Sequence, residues 1–270
     1  MSAQSWSTGA RLATLSRVVL FCMGCAVILM VGSRFTPKLP GLWMVVVLEG
    51  AASVPTFGLT VLFARWEGMR LAGVGVVPER GSLERLGFGA ILGLLMVGLH
   101  TLLLGSMGHV HWVRQDGVGF APACVAVLAF LLVGLREEIA FRGYPLRGLE
   151  RAFGLWVALG VVSLFFALEH IAGGMTWRQA LWGPLVGGLL FGLAALVTRG
   201  IALPVGIHAG WDYAYWMLGY RGGSGPWRMI VEPGFEARVE RVAMMSYLVV
   251  MGSGILGFLL YSRMTDREIE

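Results

Sequence analysis

Charged residues are scarce in this 270-residue sequence. They make up 14% of the chain, against 57% hydrophobic residues, and the mean hydropathy is +0.74. A soluble globular domain carries about 25% charged residues, so a water-soluble domain is disfavoured. Disorder is excluded as well, because disordered chains combine low hydrophobicity with high net charge. The composition therefore predicts a polytopic membrane protein.

Cysteine and lysine are also rare. Three cysteines cannot form a disulfide framework. Cys22 and Cys25 lie in an apolar run, and we interpret them as packing residues rather than a redox or metal pair. Lys38 is the only lysine, and the arginines stand singly between apolar runs. The formal charge of +5 therefore indicates loop charges beside membrane spans, and nucleic-acid binding is not expected.

Three familiar catalytic signatures are absent. The sequence contains no H-E-x-x-H zinc motif, no G-x-S-x-G nucleophile elbow and no P-loop. Any catalytic site must therefore be sought among ionisable residues with other spacings.

Long apolar runs are abundant. A helix needs about 20 residues to cross the hydrocarbon core, and eight runs approach or exceed that length. The runs are continuous rather than alternating, which favours helices over strands. Their approximate limits are 17–32, 42–64, 86–104, a run starting near 120, 155–170, 180–197, 201–218 and 243–261. The sequence predicts an all-α, polytopic transmembrane helix bundle with about eight spans.

The arginines give a weak prediction of orientation. With a cytoplasmic N-terminus, more arginines fall in inner segments than in outer ones; Arg267 is counted inside and Arg221 outside. Because positive residues are enriched in cytoplasmic loops, we expect both termini in the cytoplasm. The preference for arginine over lysine is typical of a GC-rich bacterial gene, so the expected location is a bacterial plasma membrane.

The fourth run passes directly into the segment R-E-E-I-A-F-R. Ionisable groups within a span cost about 2.5–3.5 kcal/mol each, so they mark candidate functional positions. Glu138 and Arg142 are four residues apart and are predicted to pair on one helix face. Glu137 points about 100° away with no local cation, which makes it a candidate general base for water. The alternative is an ordinary charged helix end that begins at Arg136.

Two histidines follow in later runs. His170 comes one helical turn after Phe166, where a packing role is the alternative interpretation. His208 and Asp212 are four residues apart, so the carboxylate is expected to orient the imidazole. An ordinary hydrogen bond within the helix is the alternative for this pair.

A hairpin would bring the two sets together. If the fourth and fifth helices turn near Phe153 and Gly154, Glu137 and His170 are each about 16 residues from the turn and lie at one depth, about 24 Å from its tip. Weaker candidates are Glu49 and His100 within earlier spans, Glu169 beside His170, and the loop residues His109 and His111.

These segments resemble the CPBP family of intramembrane proteases, which includes type II CAAX prenyl endopeptidases and bacteriocin-immunity proteins. The first motif, E-E-x-x-x-R, is matched by Glu137, Glu138 and Arg142. The second, F-x-x-x-H, is matched by Phe166 and His170. The third, H-x-x-x-N or less often D, is matched by His208 and Asp212. The resemblance covers about 120–218.

The resemblance implies a division of the chain and a mechanism. Residues 1–119 would form N-terminal transmembrane helices, 120–218 the protease core, and 219–270 a loop and a last helix. Glu137 would activate water, supported by Glu138 and Arg142, while His170 and His208 would position the water and stabilise the transition state. Asp212 departs from the usual Asn and leaves the oxyanion donor open.

The cofactor stays open at this level. His170 and His208, with Asp212 or Glu137, are candidate ligands for a zinc ion. A metal-free mechanism that uses Glu137 as the base is equally compatible with the residues.

Three functions compete. The leading hypothesis is a membrane endopeptidase that cuts a membrane-associated protein, for instance a prenylated CAAX-type substrate. The second is a non-catalytic immunity or scaffold protein of the same fold. The third is a small proton-coupled transporter, disfavoured because the sequence shows no internal repeat. The expected partners are the substrate and the bilayer; the oligomeric state and the substrate identity are open.

Overall fold

The structure is a computed structural model that describes residues 6–107, 109–116, 118–220, 222 and 224–264. The termini, Arg221 and Arg267 lie outside the described residues. Within that part of the chain helices dominate, with one short pair of strands. The helices are α1 (Thr8–Phe35), α2 (Trp43–Trp66), α3 (Leu71–Val74), α4 (Ser82–Ser106), α5 (Phe120–Arg142), α6 (Tyr144–Phe153), α7 (Leu155–Ala172), α8 (Trp177–Trp182), α9 (Pro184–Thr198), α10 (Ala202–Met217) and α11 (Glu236–Met264).

The predicted helical membrane bundle is confirmed. Six helical segments among the described residues are long and apolar enough to cross a membrane: α1, α2, α4, α7, the α8–α9 segment and α11. The two other predicted spans correspond to α5, which carries the charged motif, and α10, which has 16 residues. These two helices hold most of the candidate site.

A small antiparallel sheet departs from the helical prediction. Strands β1 (Val110–Arg114) and β2 (Trp227–Val231) pair in a register that sets Val110 opposite Val231. The segment around His109 and His111 was expected to be a solvent-exposed loop. His111 is an exposed residue of β1, while Nδ1 of His109 lies 2.9 Å from Oε2 of Glu232. The alternating polar pattern here is too short to stand out beside the long apolar runs.

Helices α4 and α10 touch through their backbones. Gly89 and Gly93 of α4 lie against the main chain of α10, and Gly206 and Gly210 of α10 lie against that of α4. A Cβ atom at any of these positions would overlap the opposite backbone. The four-residue spacing within each glycine pair is typical of helices that approach closely in a membrane. Because side chains two residues apart project to opposite sides of a helix, this contact turns His208 away from α4.

The predicted turn is found at Gly154, but the helix before it is not continuous. Helix α5 ends where the N–H of Gly143 donates to the carbonyl oxygen of Glu138 at 3.1 Å. A side chain at Gly143 would collide with the carbonyl of Ile139. Helix α6 then leads to Gly154, whose φ of +82° reverses the chain into α7. The motif residues thus lie in the last two turns of α5, immediately before the break.

Candidate active site

The predicted site residues come from three helices. Helix α5 supplies Glu137, Glu138 and Arg142, α7 supplies His170, and α10 supplies His208 and Asp212. The side chains of Glu138 and Arg142 are fully buried. His170 is half-buried, and the others are buried. A charged cluster this deep in an apolar bundle requires internal partners, since water cannot solvate it.

Glu138 and Arg142 pair as predicted. Nη1 of Arg142 donates to Oε1 of Glu138 at 3.2 Å, and Nη2 donates to the carbonyl oxygen of Gly188 at 3.1 Å. The guanidinium carbon lies 4.6 Å from the ring centroid of Phe166 and 5.4 Å from that of Phe191. The aromatic faces favour the cation electrostatically, so a carboxylate, a carbonyl oxygen and two aromatic rings hold the arginine.

The orienting partner of His208 differs from the prediction. Nδ1 of His208 donates to Oε1 of Glu138 at 3.0 Å, and a carboxylate acceptor requires the proton on that nitrogen. Nε2 lies 3.4 Å from Oε2 of Glu137 and 3.9 Å from Oδ2 of Asp212. The last distance is too long for a hydrogen bond. Glu138, rather than Asp212, therefore fixes the ring, and stacking on Phe191 at 4.7 Å completes its placement.

Glu137 has a cation beside it, contrary to the sequence-based expectation. Nη2 of Arg136 donates to Oε1 of Glu137 at 2.8 Å. The other carboxylate oxygen, Oε2, accepts no hydrogen bond from any residue that the structure describes, and it faces Nε2 of His208. The two oxygens are thus distinct: one is held by a guanidinium, and one faces an imidazole.

Arg136 also reaches two other helices. Its Nε donates to Oε2 of Glu49 in α2 at 2.8 Å, and its Nη1 donates to Oε1 of Glu169 in α7 at 2.7 Å. The weaker candidates Glu49 and Glu169 therefore lie beside the site, in contact with Arg136. They also place the residues next to Glu137 and His170 in contact, as the hairpin argument required.

The F-x-x-x-H segment links both histidines. Nδ1 of His170 donates to the carbonyl oxygen of Phe166 at 2.9 Å, one turn earlier in α7. The ring of Phe166 packs edge-on against His170 at 4.6 Å and against His208 at 6.0 Å. Phe166 therefore places both imidazoles, one through its carbonyl and both through its ring.

Comparison with known proteins identifies a family for the segment that holds the site. Residues 119–214 match the family model described as "Type II CAAX prenyl endopeptidase Rce1-like". This segment is Rce1-like. It begins just before α5, ends within α10 and contains all six predicted site residues. The family recognised from the three motifs is confirmed, and a peptide substrate in a membrane setting is what that family implies.

One relative carries a different functional name. The "Uncharacterized transporter YycB" of Bacillus subtilis (strain 168) is 31% identical over 161 residues, which are 59% of this chain and 34% of the relative. The chain thus spans about a third of that relative's length.

The described residues, as placed, do not form a three-ligand metal site. Among the described residues, no three His, Cys, Asp or Glu side chains are arranged to hold a metal ion. His170, His208 and Asp212, the candidate ligands, are therefore not such a set, whereas a catalytic zinc usually has three protein ligands.

His100 lies outside the candidate site and outside the matched segment. Its Nδ1 lies 2.9 Å from Oγ of Ser246 in α11, and its ring stacks on Tyr215 at 5.8 Å. It ties α4 to α10 and α11.

Sequence reasoning missed the role of Arg136. The signal that could have indicated it was Glu49, because a carboxylate within a span usually needs a buried cation as its partner.

Proposed function

We propose that this protein is an integral-membrane endopeptidase that hydrolyses a peptide bond of a membrane-associated protein. The observation that carries the proposal is Oε2 of Glu137. It is buried, accepts no hydrogen bond from the described residues, and lies 3.4 Å from Nε2 of His208. A carboxylate with one oxygen held and the other available has the geometry of a general base.

The reaction follows from the free atoms of the site. A water that donates to Oε2 of Glu137 is deprotonated as its oxygen attacks the substrate carbonyl carbon. Glu137 then returns that proton to the leaving amine as the C–N bond breaks. His170 and His208 both keep the proton on Nδ1, so their Nε2 atoms are available to position the water. A histidine that has taken a second proton from solvent on Nε2 before the reaction can donate it as a hydrogen bond to the developing oxyanion.

The remaining residues hold this geometry. Glu138 and Arg142 fix the tautomer and plane of His208, as the contacts at 3.0 and 3.2 Å indicate. Asp212, 3.9 Å from Nε2 of His208, stabilises a positive charge on that ring. We assign the oxyanion role to the imidazoles, because an ionised carboxylate cannot donate a hydrogen bond.

The proposal includes the setting. We place the core at 120–218, between the N-terminal helices of 1–119 and the last helix of 219–270. We further propose a bacterial plasma membrane, cytoplasmic termini, and a membrane-associated protein as the substrate, with a prenylated CAAX-type protein as one candidate.

Glu137→Gln tests the function. This change keeps the side-chain shape and one acceptor oxygen but removes the base. We expect cleavage of a quenched fluorescent, membrane-anchored peptide to fall by at least about 100-fold. Glu84→Gln, at an exposed position in the first turn of α4, is the matched control and should cleave like the wild type. Wild-type rates in Glu137→Gln would refute the proposed base.

Transport is the second candidate, because the curated relative is named a transporter. Proteoliposomes distinguish the two functions. Proton uptake driven by a solute gradient, lost in Glu137→Gln and unaccompanied by cleavage of any peptide in a panel, would favour transport. Cleavage without such uptake would favour the endopeptidase. If neither activity is observed, an immunity or scaffold role remains.

A further inference from the structure

We propose that Arg136 is the positioning residue for Glu137, and that Glu49 and Glu169 complete the active site by holding Arg136. The inference deepens the proposed function and rests on it. It makes α2, which lies outside the Rce1-like segment of 119–214, a part of the catalytic machinery.

The contacts of Arg136 form a closed set. Three different nitrogens of its guanidinium donate to three carboxylates, at 2.8 Å to Glu49, 2.7 Å to Glu169 and 2.8 Å to Glu137. The arginine side chain is only 3% exposed. The three acceptors come from α2, α7 and α5, so this guanidinium joins three helices at the level of the base.

The shape of the guanidinium explains what this set does. Its N–H groups lie in one rigid plane, so three simultaneous hydrogen bonds leave the group no freedom to rotate. Oε1 of Glu137 is therefore fixed, and Oε2 is the oxygen left facing His208. A lysine at position 136 carries the same charge but has no planar fork, and it could not fix the orientation in this way.

Charge gives the set a second property. One cation faces three carboxylates, so Arg136 favours the ionised form of Glu137 while Glu49 and Glu169 oppose it. Removing the cation and removing a neighbouring carboxylate should therefore change the proton affinity of Glu137 in opposite directions. A loss of packing alone is not expected to change the proton affinity of Glu137 in opposite directions in the two variants. The charged and titratable groups around Glu137 are Arg136, Glu138 and Arg142 from α5, Glu49 from α2, Glu169 and His170 from α7, and His208 and Asp212 from α10.

Three variants separate position from charge. For Arg136→Gln we expect kcat to fall by about 100-fold with little change in KM, and the acid limb of the pH–rate profile to move up by about one pH unit or more. For Glu49→Gln we expect the acid limb to move down instead, because a repelling charge is lost while the amide oxygen still accepts from Arg136. Arg136→Lys should leave the acid limb near its wild-type place but lower kcat.

A labelling assay reads the same property without turnover. Dicyclohexylcarbodiimide reacts with protonated carboxyl groups, and mass spectrometry can follow modification of Glu137 as the pH changes. The midpoint of labelling should rise in Arg136→Gln and fall in Glu49→Gln. This measurement uses the purified full-length protein in detergent and does not depend on the choice of substrate.

Arg147→Gln is the matched control. Arg147 is also a buried arginine, which donates to Oε2 of Glu150 and to the carbonyl oxygen of Ala195, both at 2.9 Å. Its loss should lower thermal stability and leave both the acid limb and the labelling midpoint of Glu137 unchanged.

The outcomes are separable. Wild-type kcat in Arg136→Lys and an unshifted labelling midpoint in Glu49→Gln, with a cleaving wild type, would overturn the inference and leave the proposed function intact. No cleavage by the wild type, together with opposite shifts of the labelling midpoint in Arg136→Gln and Glu49→Gln, would refute the endopeptidase. The positioning of Glu137 by Arg136 would then still stand. Should Arg136→Gln fail to fold, Glu49→Gln and Arg136→Lys decide the question alone.

Discussion

Glu138→Ala should destabilise the protein strongly. The change removes the carboxylate partner of Arg142 and leaves a fully buried guanidinium with its hydrogen bond to the carbonyl oxygen of Gly188. It also removes the acceptor for Nδ1 of His208. Breaking a buried ion pair from one side costs about 3–5 kcal/mol, because the remaining charge is uncompensated. At about 2–4 °C per kcal/mol for a chain of this size, the melting temperature should fall by roughly 6–20 °C.

The cysteines provide the assay. Cys25 is buried and Cys22 is half-buried in α1, so a thiol-reactive fluorescent dye will report their exposure as the protein unfolds in detergent. Exposed Cys124 gives a constant background. Glu240→Ala is the control, because its 3.9 Å contact with Arg178 is highly exposed on both sides. Its melting temperature should stay within about 2 °C of the wild type, since exposed pairs contribute little.

A double variant distinguishes the loss of the ion pair from a general loss of packing. Glu138→Ala combined with Arg142→Leu removes both charges, so part of the lost stability should return. Cleavage should not return, because His208 still lacks its orienting carboxylate. A melting temperature of Glu138→Ala within 2 °C of the wild type would refute the predicted cost of the unpaired arginine. A double variant that is less stable than Glu138→Ala would refute it as well.

Two further predictions concern packing and metal. Gly210→Val should abolish cleavage and lower stability by about 1–3 kcal/mol, because a Cβ at this position would overlap the backbone of α4. Gly98→Val, where a Cβ would meet no atom within 4 Å, should stay within about 0.5 kcal/mol of the wild type. Thermal melting measures both changes. Cleavage should persist in the presence of a chelator, because no three His, Cys, Asp or Glu side chains in the described part of the chain are placed to hold a metal ion. One zinc per chain by mass spectrometry, with chelator-sensitive cleavage, would contradict the second expectation.

Much of the site could be read from local spacing. Four-residue separations placed Glu138 with Arg142, and the apolar runs showed that these charges lie within a bundle. The contact of Arg136 with Glu49 could not be read in this way, because 87 residues separate the two. Only the packing of α2 against α5 brings them together.

Two other features depend on tertiary contacts in the same way. His208 hydrogen-bonds to Glu138 across helices rather than to Asp212 one turn away, because the approach of α5 supplies a closer acceptor. The break at Gly143 was missed since the sequence on both sides is compatible with a helix. The metal question, the domain limits and the orientation in the membrane stay predictions.

The glycine contact between α4 and α10 has a consequence for biosynthesis. About a hundred residues separate its two sides, and at about 5–20 residues per second a ribosome needs several seconds to make them. During that interval the glycine surface of α4 must remain beside lipid or another protein. His208 and Asp212 emerge only when α10 does. The newly made chain therefore cannot assemble the candidate site until nearly all of the bundle has entered the membrane.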